Sequence, residues 1–291
     1  MNGVNPGLPL VLLWNPPEWA PAPGSGETCE ITRDRSRLPE AGAVVFHVPT
    51  LPPVLRLPKP AGQRWVAWSM ESAAMYPVLA DPAFLRAFDL TMTYRLDSDV
   101  PAPYFEPGLL AELAAPPAPK VEPAPAVLFM SNAGERSGRT EYARELMRHL
   151  AVDSYGRCLN NRRLPEDRGR ATLRGVIRHY RFTLAFENSI AEDYVTEKFF
   201  APLSEGSVPV YLGAPNVARF APGERCYLDV RDFAGPRELA AHLNALAANE
   251  AAYAELLAWK HRPPREGFLR LFNAFSRPPF LRLGETLGAS A

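Results

Sequence analysis

Cysteine is scarce. Cys29, Cys158 and Cys226 are the only three in 291 residues, and no C-x-x-C pair joins any two of them. That excludes a cysteine-built zinc site and a dense disulfide framework, and free thiols in a reducing compartment are the simplest reading. Net charge is missing too: 32 Lys and Arg stand against 32 Asp and Glu. No global field therefore draws the chain to nucleic acid or to an acidic membrane surface. No apolar run approaches the ~20 residues that a membrane helix needs. The first such run, LPLVLLW (8–14), has no Lys or Arg before it, as a signal peptide would require. A chain without an anchor is expected, cytoplasmic, with peripheral association with a membrane left open. There is no G-x-G-x-x-G and no internal repeat.

Proline is in excess, with 32 residues, about twice the usual ~5% share. Its densest stretch, 101–125, has little periodicity beyond LLAEL and marks a boundary. Before it, LPLVLLW, AVVFHV (43–48), RWVAWSM (64–70) and FDLTMTY (88–94) read as buried parallel strands. DPAFLRAF (81–88) reads as a helix with Pro82 in its first turn. After it come strand AVLFMSN (126–132), helix TEYARELMRHL (140–150) and VDSYGRC. A basic connection (161–181), strand RFTLAF and a helix from about Tyr194 to Glu205 follow. Strand VPVYLG (208–213) and helix RELAAHLNALAA (237–248) complete the pattern. Strand–helix alternation on both sides of a Pro-rich hinge predicts two α/β domains, 1–115 and 126–291, joined by a linker over 116–125.

The stretch FENSIAEDYVTEKFF (186–200) concentrates polar groups at the end of RFTLAF. Glu187 and Asn188 would emerge at the carboxyl end of that strand, where open α/β sheets hold ligands. Asp193 sits where an N-cap belongs, with Tyr194 and Lys198 one turn apart. A lysine in a first helical turn opposes the macrodipole unless an anion is bound there. The physics therefore admits a phosphate-bearing ligand, with Glu197 left for sugar hydroxyls. A solvated surface helix with an incidental lysine stays open on spacing alone.

FENSIAEDYVTEKFF followed by GSVPVYLGAPNVARFAP resembles the donor-binding signature of the α1,3/α1,4-fucosyltransferases, the GT10-type family. LLWNPPE, CEITRDRSRLPEAGAVVFH, QRWVAWSMES and FDLTMTYRLDSDVPAPY resemble that family's N-terminal segments. SNAGERSGRTEYARELMRHLAVDSYGRCLNN resembles its S-N…R…YGxC-x-N region. The resemblance covers nearly the whole chain. It implies an α/β fold of GT-B type, two Rossmann-like domains facing a central cleft. It also implies inverting transfer of L-fucose from GDP-β-L-fucose to the N-acetylglucosamine of a lactosamine-type glycan, giving Lewis-type structures on surface polysaccharide.

The partners implied are GDP-fucose and an oligosaccharide or polysaccharide acceptor. No cofactor is obligatory, and a divalent cation is at most stimulatory. On the same resemblance Glu71 is the candidate base, beside Trp65, Trp68 and Met70, an apolar setting that suits such a role. Arg139 and Lys198 would hold the diphosphate, with Tyr194 near the phosphates or the sugar. Glu197 would accept from ribose or fucose hydroxyls, and Asn188 would fix the fucose or its loop. SMESAAMYP lacks the proline that many relatives carry after E-S, which bears on the reach of Glu71. Asp97 and Asp99 have D-x-D spacing, but the matching family segment is not a metal site; an ion-pair cluster reads equally well. The eight arginines from Arg157 to Arg181 are interrupted by acids and lack interleaved aromatics, against nucleic-acid binding. Phe268, Phe272 and Phe275 read as a packing face. Two other readings stand beside this one: a GT-B transferase for another nucleotide sugar, and a non-catalytic nucleotide-sugar-binding protein.

Overall fold

The computed structural model describes residues 7–52, 57–164 and 166–289. The chain divides into two units, one holding the sequence up to Phe105 and again from Asn273, the other Glu106–Phe272.

In the first unit the apolar runs become strands β1 (Leu10–Leu13), β2 (Gly24–Ser25), β3 (Glu30–Thr32), β4 (Ala43–His47), β5 (Arg64–Ser69) and β6 (Leu90–Thr93). Their order is β2-β3-β1-β4-β5-β6, parallel except for the short β2–β3 pair. Such strands are apolar on both faces because both faces are covered. Val11, Val45, Val66, Trp68 and Met92 pack on one side with Phe280 and Leu283 of the C-terminal helix Pro279–Gly288. Leu12, Val44, Phe46 and Trp65 pack on the other. Trp65 and Trp68 thus serve opposite cores, at 5.1 Å from Phe46 and 5.3 Å from Phe280. The expected apolar enclosure of Glu71 by both tryptophans does not form, because residues three apart on a strand face opposite ways.

The second unit has β7 (Ala126–Phe129), β8 (Val152–Tyr155), β9 (Phe182–Phe186), β10 (Val208–Leu212) and β11 (Leu228–Asp229), all parallel in the order β11-β10-β9-β7-β8. Leu128, Leu146, Leu184, Val210 and Leu239 fill one core. Val127, Ile177 and Tyr180 fill the other.

Three sequence expectations are corrected here. The basic connection contains a helix, Arg170–Ile177, whose arginines find acids: Arg174 holds Glu112 at 2.9 Å and Glu205 at 2.7 Å. The Pro-rich stretch is not a free linker. Leu109–Leu113 is a helix of the second unit, Lys120 Nζ donates to the Arg178 carbonyl at 2.7 Å, and the Val121 amide donates to the His179 carbonyl. Prolines fix an extended backbone whose remaining polar groups can still dock. Finally, the tail from Asn273 belongs with the first unit, because Phe280 and Leu283 are needed to cover its sheet. Among the described residues no helix is long and apolar enough to cross a membrane.

Candidate active site

The topological switch of the second sheet lies between β7 and β9, since the chain leaves β7 for β8 on one side and then crosses to β9 on the other. Such switch points open crevices at the carboxyl ends of strands. Here β7 and β9 stay paired only at Ala126↔Phe182 and Val127↔Thr183. Beyond that, the side chain of Arg139 bridges them. Its Nη1 donates to the Phe186 carbonyl at 2.9 Å and its Nη2 to the Asn132 carbonyl at 2.9 Å. Arg139 is 3% exposed, its Nε has no hydrogen-bond acceptor, and no carboxylate among the described residues pairs with it. A buried cation without a counter-ion is costly, which makes Arg139 the candidate anion-binding group of this switch point.

Arg139 opens the helix Arg139–Leu146, whose N-terminal approach is stitched to the end of β9. The Arg136 amide donates to the Asn188 carbonyl at 2.7 Å, and Ser137 Oγ donates to the Glu187 carbonyl at 2.6 Å. Glu135 accepts from the Ser137 and Gly138 amides, both at 2.7 Å. Burial works against its ionisation, but those amides prevail and hold the carboxyl below its ordinary value.

Glu187 is fully buried. Its carboxylate accepts from the Thr196 amide at 2.8 Å and from Thr196 Oγ1 at 2.9 Å, and Lys198 Nζ lies 3.4 Å away. Gly213 makes the room, because a Cβ there would stand 2.6 Å from Glu187 Cγ. Lys198 also reaches Glu197 at 3.2 Å. Desolvation pushes the Glu187 carboxyl up despite Lys198. For Lys198, burial opposes the charge, but the two carboxylates outweigh it and raise its pKa, while Arg139 acts the other way. For Glu197, burial raises the carboxyl, but Lys198 prevails and lowers it. Arg139 and Lys198 therefore converge on one strand end. Lys198 is already answered by two carboxylates, which leaves Arg139 as the uncompensated charge.

The helix begins at Glu197, not at Tyr194, and its N-cap is Thr196, not Asp193. Asp193 has been captured elsewhere. Its amide donates to Asn216 Oδ1 at 2.9 Å, its Oδ1 accepts from Asn216 Nδ2 at 2.8 Å, and Arg219 stands 3.8 Å off. These contacts hold it at φ 63°, a conformation only short polar residues adopt readily. Tyr194 is consequently buried ahead of the helix, its carbonyl accepting from Tyr211 Oη at 3.2 Å. It does not share a helical face with Lys198. Asn188 is buried, its Oδ1 accepting from Ser189 Oγ at 3.0 Å. Glu187 was expected only at the ligand-holding end of its strand, without a partner, and Glu135 and Thr196 are candidate-site residues to which sequence reasoning gave no role. A fully polar E-N-S run directly after a buried strand was the signal for Glu187.

In the first unit Glu71 follows β5. Ser69 Oγ clamps its backbone, accepting from the Glu71 amide and donating to the Glu71 carbonyl, both at 3.0 Å. Glu71 lines a cavity of about 210 Å³ together with Ala67, Leu79, Thr91, Thr93 and Asp97. The D-x-D pair is split between partners. Asp97 takes Arg95 through two bonds of 2.8 and 2.6 Å, and Asp99 accepts from the Thr91 amide and hydroxyl at 2.8 Å each.

Two parallel α/β units, one with an unanswered buried arginine at its switch point, define a GT-B glycosyltransferase scaffold. A solved α1,3-fucosyltransferase with GDP-fucose has that fold, matching at TM-score 0.57 and 15% identity over 93% of this chain and 90% of its own. Residues 120–273 match "Glycosyltransferase family 10 (fucosyltransferase) C-term" and residues 6–105 match "Fucosyltransferase, N-terminal". The chain belongs to the family 10 fucosyltransferases. The human 4-galactosyl-N-acetylglucosaminide 3-alpha-L-fucosyltransferase FUT6 is 36% identical over 87% of this chain and 73% of its own length. The Xenopus laevis GDP-fucose protein O-fucosyltransferase 3 is 32% identical over 86% of this chain and 58% of its own. The chain spans as little as 39% of the length of a further relative from Arabidopsis thaliana.

Proposed function

We propose that the chain transfers L-fucose from GDP-β-L-fucose, with inversion, to a hydroxyl of the N-acetylglucosamine in a lactosamine-type glycan. The Glu71 carboxylate takes the proton of that hydroxyl as its oxygen attacks the anomeric carbon of fucose. The bond from that carbon to the phosphate oxygen breaks, and GDP leaves with the pair of electrons. The charge that develops on the diphosphate is met by Arg139 and, as a shared cation, by Lys198. Glu197, half-exposed beside Lys198, accepts from fucose or ribose hydroxyls. Asn188 and Tyr194 hold the loop on which those groups stand.

The observation that carries this reading is the buried Arg139 guanidinium with no carboxylate partner among the described residues. The test pairs GDP titration with a transfer assay on N-acetyllactosamine. Arg139→Ala should abolish measurable GDP binding. Glu71→Gln should keep GDP affinity and lower kcat by about 10²–10⁴-fold, the usual worth of a general base. Full turnover in Glu71→Gln removes the base from the reading; preference for a donor other than GDP-fucose removes the donor.

The likeness to a protein O-fucosyltransferase favours one second reading, in which the acceptor is a serine or threonine hydroxyl. Parallel assays on N-acetyllactosamine and on folded protein acceptors separate the two.

A further inference from the structure

In the first sheet the topological switch lies between β1 and β4, since β1 is followed by β3 on one side and by β4 on the other. The loop that leaves β1 there is held with unusual firmness. Asn15 Nδ2 donates to the His47 carbonyl at 2.8 Å, and the His47 amide donates back to Asn15 Oδ1 at 3.0 Å. The Ala20 amide closes a turn on the Pro17 carbonyl at 3.0 Å. Arg33 Nη2 ties down the Ala20 and Pro21 carbonyls at 2.9 and 3.2 Å. Pro16, Pro17, Pro21 and Pro23 remove most of the remaining freedom.

Within this braced loop Trp19 is 61% exposed. Its ring meets His47 at 5.8 Å and 87°, and Trp68 at 5.1 Å and 73°. Two buried rings therefore brace the indole close to perpendicular, and most of its surface stays in water. A stiff loop presenting an open aromatic surface at a switch point is costly unless something covers it, and it binds without paying to order itself.

We propose that Trp19 is a stacking platform for the acceptor, taking the apolar face of the pyranose next to the one that bears the attacked hydroxyl. Resting on the reading of Glu71 as base, the placement follows from the sheet. Trp19 reaches across β4 to Trp68 of β5, and Glu71 follows β5 directly. The indole rests on Trp68, three residues before Glu71, which keeps the two within the span of a disaccharide. The attacked ring would stand by Glu71 at the carboxyl end of β5, and the indole would take its neighbour.

The test compares N-acetyllactosamine with N-acetylglucosamine alone as acceptors, in wild type, Trp19→Ala and Trp19→Phe. Trp19→Ala should raise KM for the disaccharide about tenfold, near the upper worth of one aromatic contact. Its kcat and its GDP affinity should hold, and KM for the monosaccharide should stay within twofold. Trp19→Phe should recover most of the loss. An equal penalty on both acceptors makes Trp19 merely structural and overturns the inference, as does no penalty on either. A wild-type chain that consumes GDP-fucose but fucosylates neither sugar overturns it as well and leaves the donor reading standing. A wild-type chain that does not consume GDP-fucose takes both down.

Discussion

Arg139 carries two duties on one guanidinium. It satisfies the Phe186 and Asn132 carbonyls where β7 and β9 part, and it presents the unanswered charge. A planar fork spans two carbonyls in fixed directions; an ammonium is a point. Arg139→Lys should therefore lose about 1–3 kcal/mol of stability, through one buried carbonyl left without a donor. Denaturant unfolding measures this. GDP affinity should fall at least tenfold in parallel titrations. At this scale the gathering of Arg139, Asn188, Glu197 and Lys198 at one strand end was legible, because they stand in two motifs that the sequence already sets apart. The neutralisation of Lys198 by Glu187 was not legible. Whether a glutamate at the end of a strand turns outward or inward depends on Gly213, 26 positions on, and on the space its missing side chain leaves.

The helix Glu197–Glu205 shows what local pattern resolves and what it does not. The apolar strands β1, β4, β5, β9 and β10 formed within a residue or two of expectation, whereas the amphipathic helix expected over 140–150 ends at Leu146. The start of the helix at Glu197 also departs from expectation, because Asp193 was bid away by Asn216 and Arg219, partners more than twenty residues on. Thr196 took the cap, and its hydroxyl also serves Glu187. Thr196→Val should cost about 1–3 kcal/mol by removing a cap and a donor to a buried carboxylate, while Thr196→Ser stays near wild type in the same unfolding experiment. At the other end Gly206 closes the helix at φ 69°, and a Cβ there would meet Pro117 Cβ at 2.5 Å. Gly206→Ala should destabilise by more than the ~1 kcal/mol of an ordinary left-handed alanine, visible as a lowered midpoint in thermal unfolding.

For the whole molecule, two contacts join distant segments within each unit. Lys260 is buried in the second unit, and its Nζ donates to the Leu113 carbonyl at 2.7 Å and the Leu203 carbonyl at 3.0 Å. It thereby answers the carboxyl ends of two helices. Desolvation lowers its pKa from 10.5 to about 8. Between those values the unfolded chain keeps a proton that the folded one sheds, so this group's contribution to stability grows as pH rises from about 8 to 10.5 and is smallest below that window. The stability difference between wild type and Lys260→Met should move in favour of wild type across it. In the first unit, Leu283 is fully buried against the sheet. Leu283→Ala should cost about 2–5 kcal/mol, read from the emission of Trp14, Trp65 and Trp68. The division into two α/β units was visible from alternation alone. The boundary at Phe105 and the return at Asn273 were not, because composition reports where proline is dense and not what the prolines lie against.

That return has a consequence for how the protein comes off the ribosome. Thr28 Oγ1 donates to the Leu281 carbonyl, 253 residues later, so the sheet opened by Leu10 gains the helix Pro279–Gly288 only after the whole second unit has been made. The continuous stretch Glu106–Phe272 can fold as soon as it emerges. The first unit is thus completed after the second, and while the second is being made its sheet lacks the cover of Phe280 and Leu283.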